Sequence, residues 1–403
     1  SVPMKRTNLD GWIRRQEGVQ DLERKQIEEI QLRKLNILLN REKERGGFYR
    51  FLPDRLDTLE DLCRLPFTTE NDLIREGHRM VLTSQSGIER VRSQETSGTT
   101  GPAKRVYYSA KDNERTVSFF AAGLSELVFP GEKVMVCMPF SGNRGLGELI
   151  AEAVGRLKGI PLAAGTGRSY GELLDMLDLE RPRVFVGMPV PLLSLLRLRP
   201  ENSLERALVS ADACPDTVRK EIETCLGTRL YPHYGSREIG LGGAVTCPAF
   251  EGMHLRENDL IAEIVDEEGR VLPRGEWGEL VLTSIEADAM PLIRYRTGDI
   301  TRILPEPCPC GSAVIRLDRI RRRNRCPEME KLDDRMFQYG EVVDYRMGIQ
   351  GDTLYAEGYL RKDRADFPEE LEGYPVRYRW KTVAMEDMPC YAGKRKITGM
   401  EKR

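Results

Sequence analysis

The sequence predicts an α/β fold: a large N-terminal α/β core with mostly parallel sheets over residues 1–323, carrying a β-rich subdomain at about 240–323, and a small α+β C-terminal domain over 324–403. Three observations lead there. Between about 130 and 235, short apolar runs alternate with stretches of helical periodicity, the pattern of βαβ units and a parallel sheet. From about 255 the helical periodicity stops, and strand patterns joined by a Glu267-Glu268-Gly269 turn take over. After about 325 the pattern breaks again into a compact tail with strand-like runs.

Taken in order, residues 21–45 place Leu22, Ile27, Ile30, Leu35, Leu38 and Leu39 on one face of a helix that stops at Gly46-Gly47. Its many Arg, Lys and Glu residues read as a solvated face. Residues 59–73 read as a short helix, a break at Pro66, and a second helix capped by Thr68 or Thr69. Candidate core strands are Lys133–Met138, Ile160–Ala164, Arg183–Gly187, Arg206–Ser210 and Arg229–Tyr234, with helical segments near 147–158, 171–179, 189–197 and 215–226. Ligands of such a sheet belong at the carboxyl ends of its strands, which points to the loop after Tyr234. Leu260–Val265 and Glu279–Thr283 form the hairpin region, and Glu341–Ile349, Thr353–Leu360 and Val376–Val383 are the tail strands.

Composition is ordinary: 40% hydrophobic, 31% charged, formal net charge −2. A near-neutral balance gives no support to a nucleic-acid or membrane-surface role. No apolar run approaches the roughly 20 residues of a membrane span, and the start, Ser1-Val2-Pro3-Met4, lacks the apolar stretch of a secretory signal. Nine cysteines, an odd number in so long a chain, do not resemble a disulfide framework. The expectation is a soluble cytoplasmic enzyme with reduced thiols.

The most informative stretch is Thr96-Ser97-Gly98-Thr99-Thr100-Gly101-Pro102-Ala103-Lys104. Gly98 and Gly101 let backbone N–H groups approach an anion without an intervening Cβ. Ser97, Thr99 and Thr100 add hydroxyl donors, and Lys104 adds a mobile positive charge. The string reads as a phosphate cradle, although only two residues separate its glycines where the common nucleotide P-loop has four. Downstream, Tyr234-Gly235-Ser236-Arg237-Glu238 follows a candidate strand. An exposed aromatic there can stack on a purine, and a carboxylate four residues on can hold Mg²⁺ against phosphate oxygens. In Tyr295-Arg296-Thr297-Gly298-Asp299, an aspartate after a glycine turn can accept hydrogen bonds from both hydroxyls of a ribose.

These strings, in this order, resemble the motifs of the adenylate-forming (acyl-CoA synthetase) superfamily. The stretch from Pro291 to Ile300, and Leu65-Pro66-Phe67-Thr68-Thr69 with Leu73, resemble its phenylacetate–CoA ligase branch in particular. The resemblance implies an ATP-dependent acid–thiol ligase using ATP, Mg²⁺ and CoA, with an aryl acid such as phenylacetate as substrate. It implies that residues 96–104 hold the triphosphate, that Tyr234, Gly235 and Ser236 meet adenine and phosphate, that Glu238 holds magnesium, and that Asp299 with Arg323 binds the ribose. Lys394, in Ala392-Gly393-Lys394, falls where the catalytic lysine of a mobile C-terminal domain is expected. The acyl pocket would be lined by Phe140, Ser141 and Gly142, by Gly187–Pro189, and by Ser210, Ala211 and Asp212. Arg144 reads either as a partner for a polar substrate group or as a solvated loop residue.

The tail departs from the family pattern. Arg322 replaces a hinge glycine, and Asn324-Arg325-Cys326-Pro327 replaces the usual hinge sequence. Two alternatives therefore stay open: an adenylating enzyme that passes its acyl group to something other than CoA, and a nucleotide-binding regulatory protein without turnover. Expected partners are small molecules, with neither nucleic acid nor membrane, and a homodimer is the oligomeric state to test.

Cys247, His254, Cys308 and Cys310 form a separate candidate group, a Cys₃His set of the kind zinc prefers in structural sites. The other cysteines read as buried or incidental. His78 reads as solvent-facing, and His233 either faces the acyl pocket or does not.

Overall fold

The computed structural model describes residues 4–94, 103–322, 327–382 and 393–399. The chain forms two compact units. The first comprises residues up to 126, 142–144 and 232–323; the second comprises 127–141, 145–231 and the tail from 324 onward. Residues from 324 onward cluster with 127–141 and 145–231 rather than as a body of their own.

In the first unit, α1 (Asn8–Glu17) is capped by Thr7, whose hydroxyl accepts from the Leu9 N–H. Helix α2 (Arg24–Glu44) buries Ile27, Ile30, Leu35, Leu38 and Leu39, the stripe its spacing predicts. Gly46, with a φ of 62°, follows the helix end, and at Gly47 an added Cβ would lie 1.9 Å from a Glu42 carboxylate oxygen. After a 3-10 turn at Leu59–Arg64, α3 (Glu70–Met80) opens with a reciprocal cap. There Asp72 accepts from the Thr69 N–H at 2.8 Å, and the Thr69 hydroxyl accepts from Asp72 N–H at 3.1 Å. An antiparallel hairpin, β1 (Ile88–Gln94) and β2 (Lys104–Ser109), flanks the glycine-rich stretch and leads into α4 (Ala110–Leu124).

The second unit contains the parallel sheet. Its strands are β3 (Lys133–Cys137), β4 (Ile160–Ala163), β5 (Val184–Gly187) and β6 (Arg206–Val209), in the spatial order β4-β3-β5-β6. The connecting helices are α5 (Leu146–Arg156), α6 (Tyr170–Glu180), α7 (Pro189–Leu198) and α8 (Asp216–Leu226). Both strands and helices fall close to their predicted spans. Every residue of α7 is buried.

In β7 (Tyr231–Tyr234) the chain passes back to the first unit, where the β-rich region follows. Antiparallel pairing runs from β7 to β8 (Ala244–Val245), β9 (Met253–Leu255) and β13 (Arg316–Leu317). A second antiparallel sheet joins β10 (Leu260–Val265), β11 (Gly278–Ser284), β12 (Tyr295–Thr301) and β14 (Arg321–Arg322).

The tail returns to the second unit as α9 (Met329–Met336) and a sheet of β15 (Val342–Gln350), β16 (Thr353–Leu360), β17 (Glu370–Leu371), β18 (Tyr374–Thr382) and β19 (Ile397–Thr398). Its spatial order is β17-β18-β16-β15-β19. One continuous core joins Leu192, Leu193, Leu195 and Leu196 of α7 to Leu332, Phe337, Val343 and Tyr345 of the tail. Arg197 of α7 donates to the carbonyls of Phe337 (2.6 Å), Val342 (2.8 Å) and Tyr339 (3.0 Å), and Ser194 donates to that of Val343 (2.6 Å). At about 1.5–3 kcal/mol for each fully buried leucine, the four leucines alone contribute on the order of 6–12 kcal/mol. No helix among the described residues is long and apolar enough to cross a membrane.

Candidate functional site

In the first unit, Lys104 opens β2, and Glu238 lies on a 3-10 turn, Arg237–Ile239, just after β7. Their charged groups meet at 2.5 Å, with less than a tenth of either side chain exposed. Burial pushes the Glu238 carboxyl up, but the Lys104 ammonium and a hydrogen bond from Ser236 outweigh it, so the group stays below its ordinary range. A carboxylate held ionised at neutral pH beside a buried lysine suits a site that takes both a cation and an anion.

Gly235 makes the sharp exit from β7 possible. A Cβ there would lie 1.7 Å from the Leu241 carbonyl oxygen, so no larger residue fits. Tyr234 differs from its expectation. Its ring is only 7% exposed and belongs to a core with Ile239, Ala244 and Leu255. Its hydroxyl donates to Asp299 at 2.7 Å. Two motifs 65 residues apart thus meet in one contact. Burial first, and then the Asp299 carboxylate, push the Tyr234 phenol well above its ordinary range, so it stays a donor.

Asp299 is set by its own turn. Gly298 takes a positive φ of 75°, the Gly298 N–H donates to Glu279 at 3.1 Å, and the Asp299 N–H donates to Thr297 at 3.1 Å. His233 lies with its ring centroid 6.0 Å from that of Phe120 and 6.3 Å from that of Phe119. Burial and, secondarily, Arg256 push its imidazole down to about 4, so it is neutral at pH 7.

Thr96, Ser97, Gly98, Thr99, Thr100, Gly101 and Arg323 lie outside the described residues. Gly142 and Arg144 belong to the first unit, where the loop is bound by the β1 strand. Arg90 donates to the Asn143 carbonyl at 2.8 Å and Arg92 to that of Arg144 at 2.9 Å, while Arg144 pairs with Glu89 at 2.8 Å. The Arg144 charge is thus paired with Glu89, with about a quarter of each side chain exposed.

In the second unit, the Phe140 ring packs over Gly147, where an added Cβ would come within 2.6 Å of it. Ser141 follows it in the loop before α5. Ala211 takes a φ of 71°, and the Asp212 carboxylate accepts from the N–H groups of Ala213 and Arg395, both at 2.9 Å. Lys394 is exposed, and the neighbouring Arg395 is buried. The sequence singled out Lys394 and passed over Arg395, whose partners lie 50 to 183 residues away and leave no local pattern.

The Cys₃His set comes together as expected. The ligand atoms of Cys247, His254, Cys308 and Cys310 all lie within 4.8 Å of one another, and all four residues are buried. His254 Nδ1 is 3.0 Å from the Val314 carbonyl, which selects the tautomer that leaves Nε2 facing the thiols. The N–H groups of Ala249, Cys310 and Ser312 point at the sulfurs of Cys247, Cys308 and Cys310 at 3.4–3.5 Å. Donor types, burial and these N–H···S contacts fit a tetrahedral zinc. The knuckle is stitched to the N-terminal helices: Ser312 donates to Asp10 at 2.8 Å, and Arg24 donates to Glu257 at 2.6 Å and to the Ala313 carbonyl at 3.2 Å.

Residues 94–286 match the AMP-binding enzyme family. A phenylacetate–coenzyme A ligase of Thermus thermophilus is 32% identical over 325 residues, covering 75% of this chain and 71% of that protein. The chain belongs to the phenylacetate–coenzyme A ligase family. Within that family, the Escherichia coli phenylacetate–coenzyme A ligase is 31% identical over 68% of this chain and 64% of its own length. The Pseudomonas putida ligase is 34% identical over 63% and 60%. Among solved structures, 2-hydroxyisobutyryl-CoA ligase bound to an acyl-AMP in its postadenylation state has a TM-score of 0.76 at 21% identity, covering 94% of this chain and 90% of that one. The same enzyme with 2-HIB-AMP and CoA in the thioesterification state has a TM-score of 0.69 at 23% identity, over 84% and 79%. At these identities the structural likenesses show a shared fold.

Proposed function

We propose that the protein is an ATP-dependent carboxylic acid–CoA ligase, forming AMP and pyrophosphate, and that its acid is an aryl acid such as phenylacetate. The carboxylate attacks the α-phosphate of ATP, pyrophosphate leaves, and the CoA thiol then displaces AMP from the acyl adenylate. Neither step needs a protein nucleophile, so the residues position substrates and neutralise charge.

The observation that carries the reading is the buried Lys104–Glu238 pair, formed by the last residue of the phosphate loop and the carboxylate of the second nucleotide motif. When a triphosphate arrives, Lys104 turns its ammonium to the phosphate oxygens, which leaves the Glu238 carboxylate for a metal cation. A magnesium ion there would supply charge neutralisation on the phosphates. Thr96, Ser97, Gly98, Thr99, Thr100 and Gly101 donate to the triphosphate. Asp299 accepts from the ribose hydroxyls, with Arg323 beside the same sugar, and Tyr234 keeps the Asp299 carboxylate oriented. Lys394 bridges the α-phosphate and the attacking carboxylate. Phe140, Ser141, Gly142, Ala211 and Asp212 belong to the acyl side. Zinc held by Cys247, His254, Cys308 and Cys310 would be structural, because four protein ligands leave no open position.

A pyrophosphate-release assay over a panel of aryl and aliphatic acids, each with and without CoA, tests this reading. Release with thioester formation on aryl acids supports it. Release without thioester moves the acyl group to another acceptor, and silence across the panel overturns the enzyme reading.

A further inference from the structure

The tail presents three consecutive cations, Lys394, Arg395 and Lys396, of which only Arg395 is buried. Its guanidinium forks onto Asp333 of α9, with Nε 2.8 Å from one oxygen and Nη2 2.9 Å from the other. Nη1 donates to Asp344 of β15 at 2.8 Å, and Nη2 also donates to the Tyr345 carbonyl at 3.0 Å. The aromatic rings of Tyr345 and Phe337 flank the group at 4.9 and 5.5 Å. Both carboxylates are themselves held: the Tyr345 hydroxyl donates to Asp333 at 2.6 Å, and the Tyr170 hydroxyl to Asp344 at 2.8 Å. The Arg395 backbone N–H, one peptide bond from Lys394, donates to Asp212 at 2.9 Å.

The geometry points to Arg395 as a positioning residue that fixes Lys394 through this clamp, with Asp212 as the receptor for the main chain; the inference rests on Lys394 acting at the α-phosphate. A buried ion pair is a poor device for stability alone, since an apolar residue of similar volume often serves as well, but it is an effective device for register. Register is what this segment needs. The strand β19 is only two residues long, pairing Met347 with Ile397 and Gly348 with Thr398. So short a strand specifies its register weakly, and a slip of one residue exchanges the faces. Such a slip would bring a neighbouring cation to the place of Lys394. The forked contact accepts a guanidinium and not an ammonium, so only Arg395 satisfies it, and Lys394 then stands one residue before a fixed point.

The test uses the full-length protein and an acyl-phosphate derivative of ATP, which acylates lysines beside the bound phosphates; labelled sites are read by mass spectrometry. Lys104 serves as the internal reference for nucleotide binding. In the wild type, both Lys104 and Lys394 are labelled. In Asp212→Ala and in Arg395→Lys, which keeps the charge but loses the fork, the Lys394 to Lys104 labelling ratio falls roughly ten-fold or more, and in Arg395→Lys part of the label moves to position 395. An unchanged ratio in both variants overturns the positioning role. An equal loss at Lys104 and Lys394 also overturns it, assigning the clamp to stability alone. Wild-type labelling at Lys104 without any at Lys394 overturns instead the reading of Lys394 on which the inference rests.

Discussion

Lys104 and Glu238 close on each other at 2.5 Å although they lie 134 residues apart in sequence, each with less than a tenth of its side chain exposed. Both charges are largely withdrawn from water, and Lys104 is the strongest partner of Glu238. Removing one partner of a buried pair strands the other, typically at about 3–5 kcal/mol. Glu238→Gln is therefore expected to lower the thermal midpoint and to slow pyrophosphate release by roughly 10²–10³-fold. Titrating Mg²⁺ should recover little of that rate. Wild-type turnover in this variant would remove Glu238 from the site.

The Tyr234–Asp299 contact makes a finer prediction. Tyr234→Phe keeps the buried ring and removes only the hydroxyl that orients the carboxylate. A hydrogen bond to a charged group contributes about 1.5–3 kcal/mol. The KM for ATP should rise by roughly ten-fold or more with kcat little changed, as read in initial-rate kinetics. A fall in kcat with KM unchanged would assign Tyr234 to the chemical step.

Metal content follows from the Cys₃His cluster. Elemental analysis of protein purified without chelators is expected to give about one zinc per chain. Cys308→Ser should lose most of it and lower the thermal midpoint, because metal affinity at such sites is folding free energy. The loss should be felt at α1 and α2, through Ser312–Asp10 and Arg24–Glu257. Hydrogen exchange of those helices measures it, and a metal-free protein of full stability would sink the assignment.

His233 sets a pH window. Its folded pKa of about 4 lies below the unfolded value of about 6.5. Below pH 6.5 the unfolded chain takes up a proton that the folded chain refuses. Stability contributed by the neutral imidazole is therefore present above pH 6.5 and is lost progressively as pH falls toward 4, by roughly 3 kcal/mol in all. Denaturant midpoints measured across that range should show the decline in the wild type and a flatter profile in His233→Asn.

Arg197 tests how firmly the tail is joined to α7. Arg197→Ala removes a donor from three tail carbonyls, of which that of Tyr339 keeps the Val342 N–H. A loss of roughly 3 kcal/mol or more is expected in chemical denaturation. A loss below about 0.5 kcal/mol, the range of an ordinary surface change, would mean that the tail is only loosely seated.

Much of the fold was legible because parallel strands, buried on both faces, read as short apolar runs. Lys133–Met138 and Arg206–Ser210 were each placed within one residue of β3 and β6. The cap at Thr69 was legible for the same local reason, since capping is a matter of neighbours. The ligand set of the metal cluster was also readable, because its donor types are rare and chemically specific. Legibility failed where partners are distant. Tyr234 was expected to be exposed and is buried, since a residue at the end of a strand carries no sign of which face will be covered. Arg144 could not be assigned until Glu89 was seen beside it. The association of the tail with residues 145–231 was invisible because it depends on Arg197 and Ser194, single polar residues in an apolar run.

That apolar run has a use in comparing relatives. A helix lying on one sheet and open to water on its other side shows alternating faces, whereas Pro189–Leu198 shows none. Its outer residues are therefore a record of a covering segment that begins more than 120 residues later. A homologue with charged side chains in place of Ser194 and its apolar neighbours would declare that its own tail docks elsewhere. One that keeps the apolar run, with an arginine where Arg197 stands, would declare the arrangement described here, even from a fragment that stops before the tail.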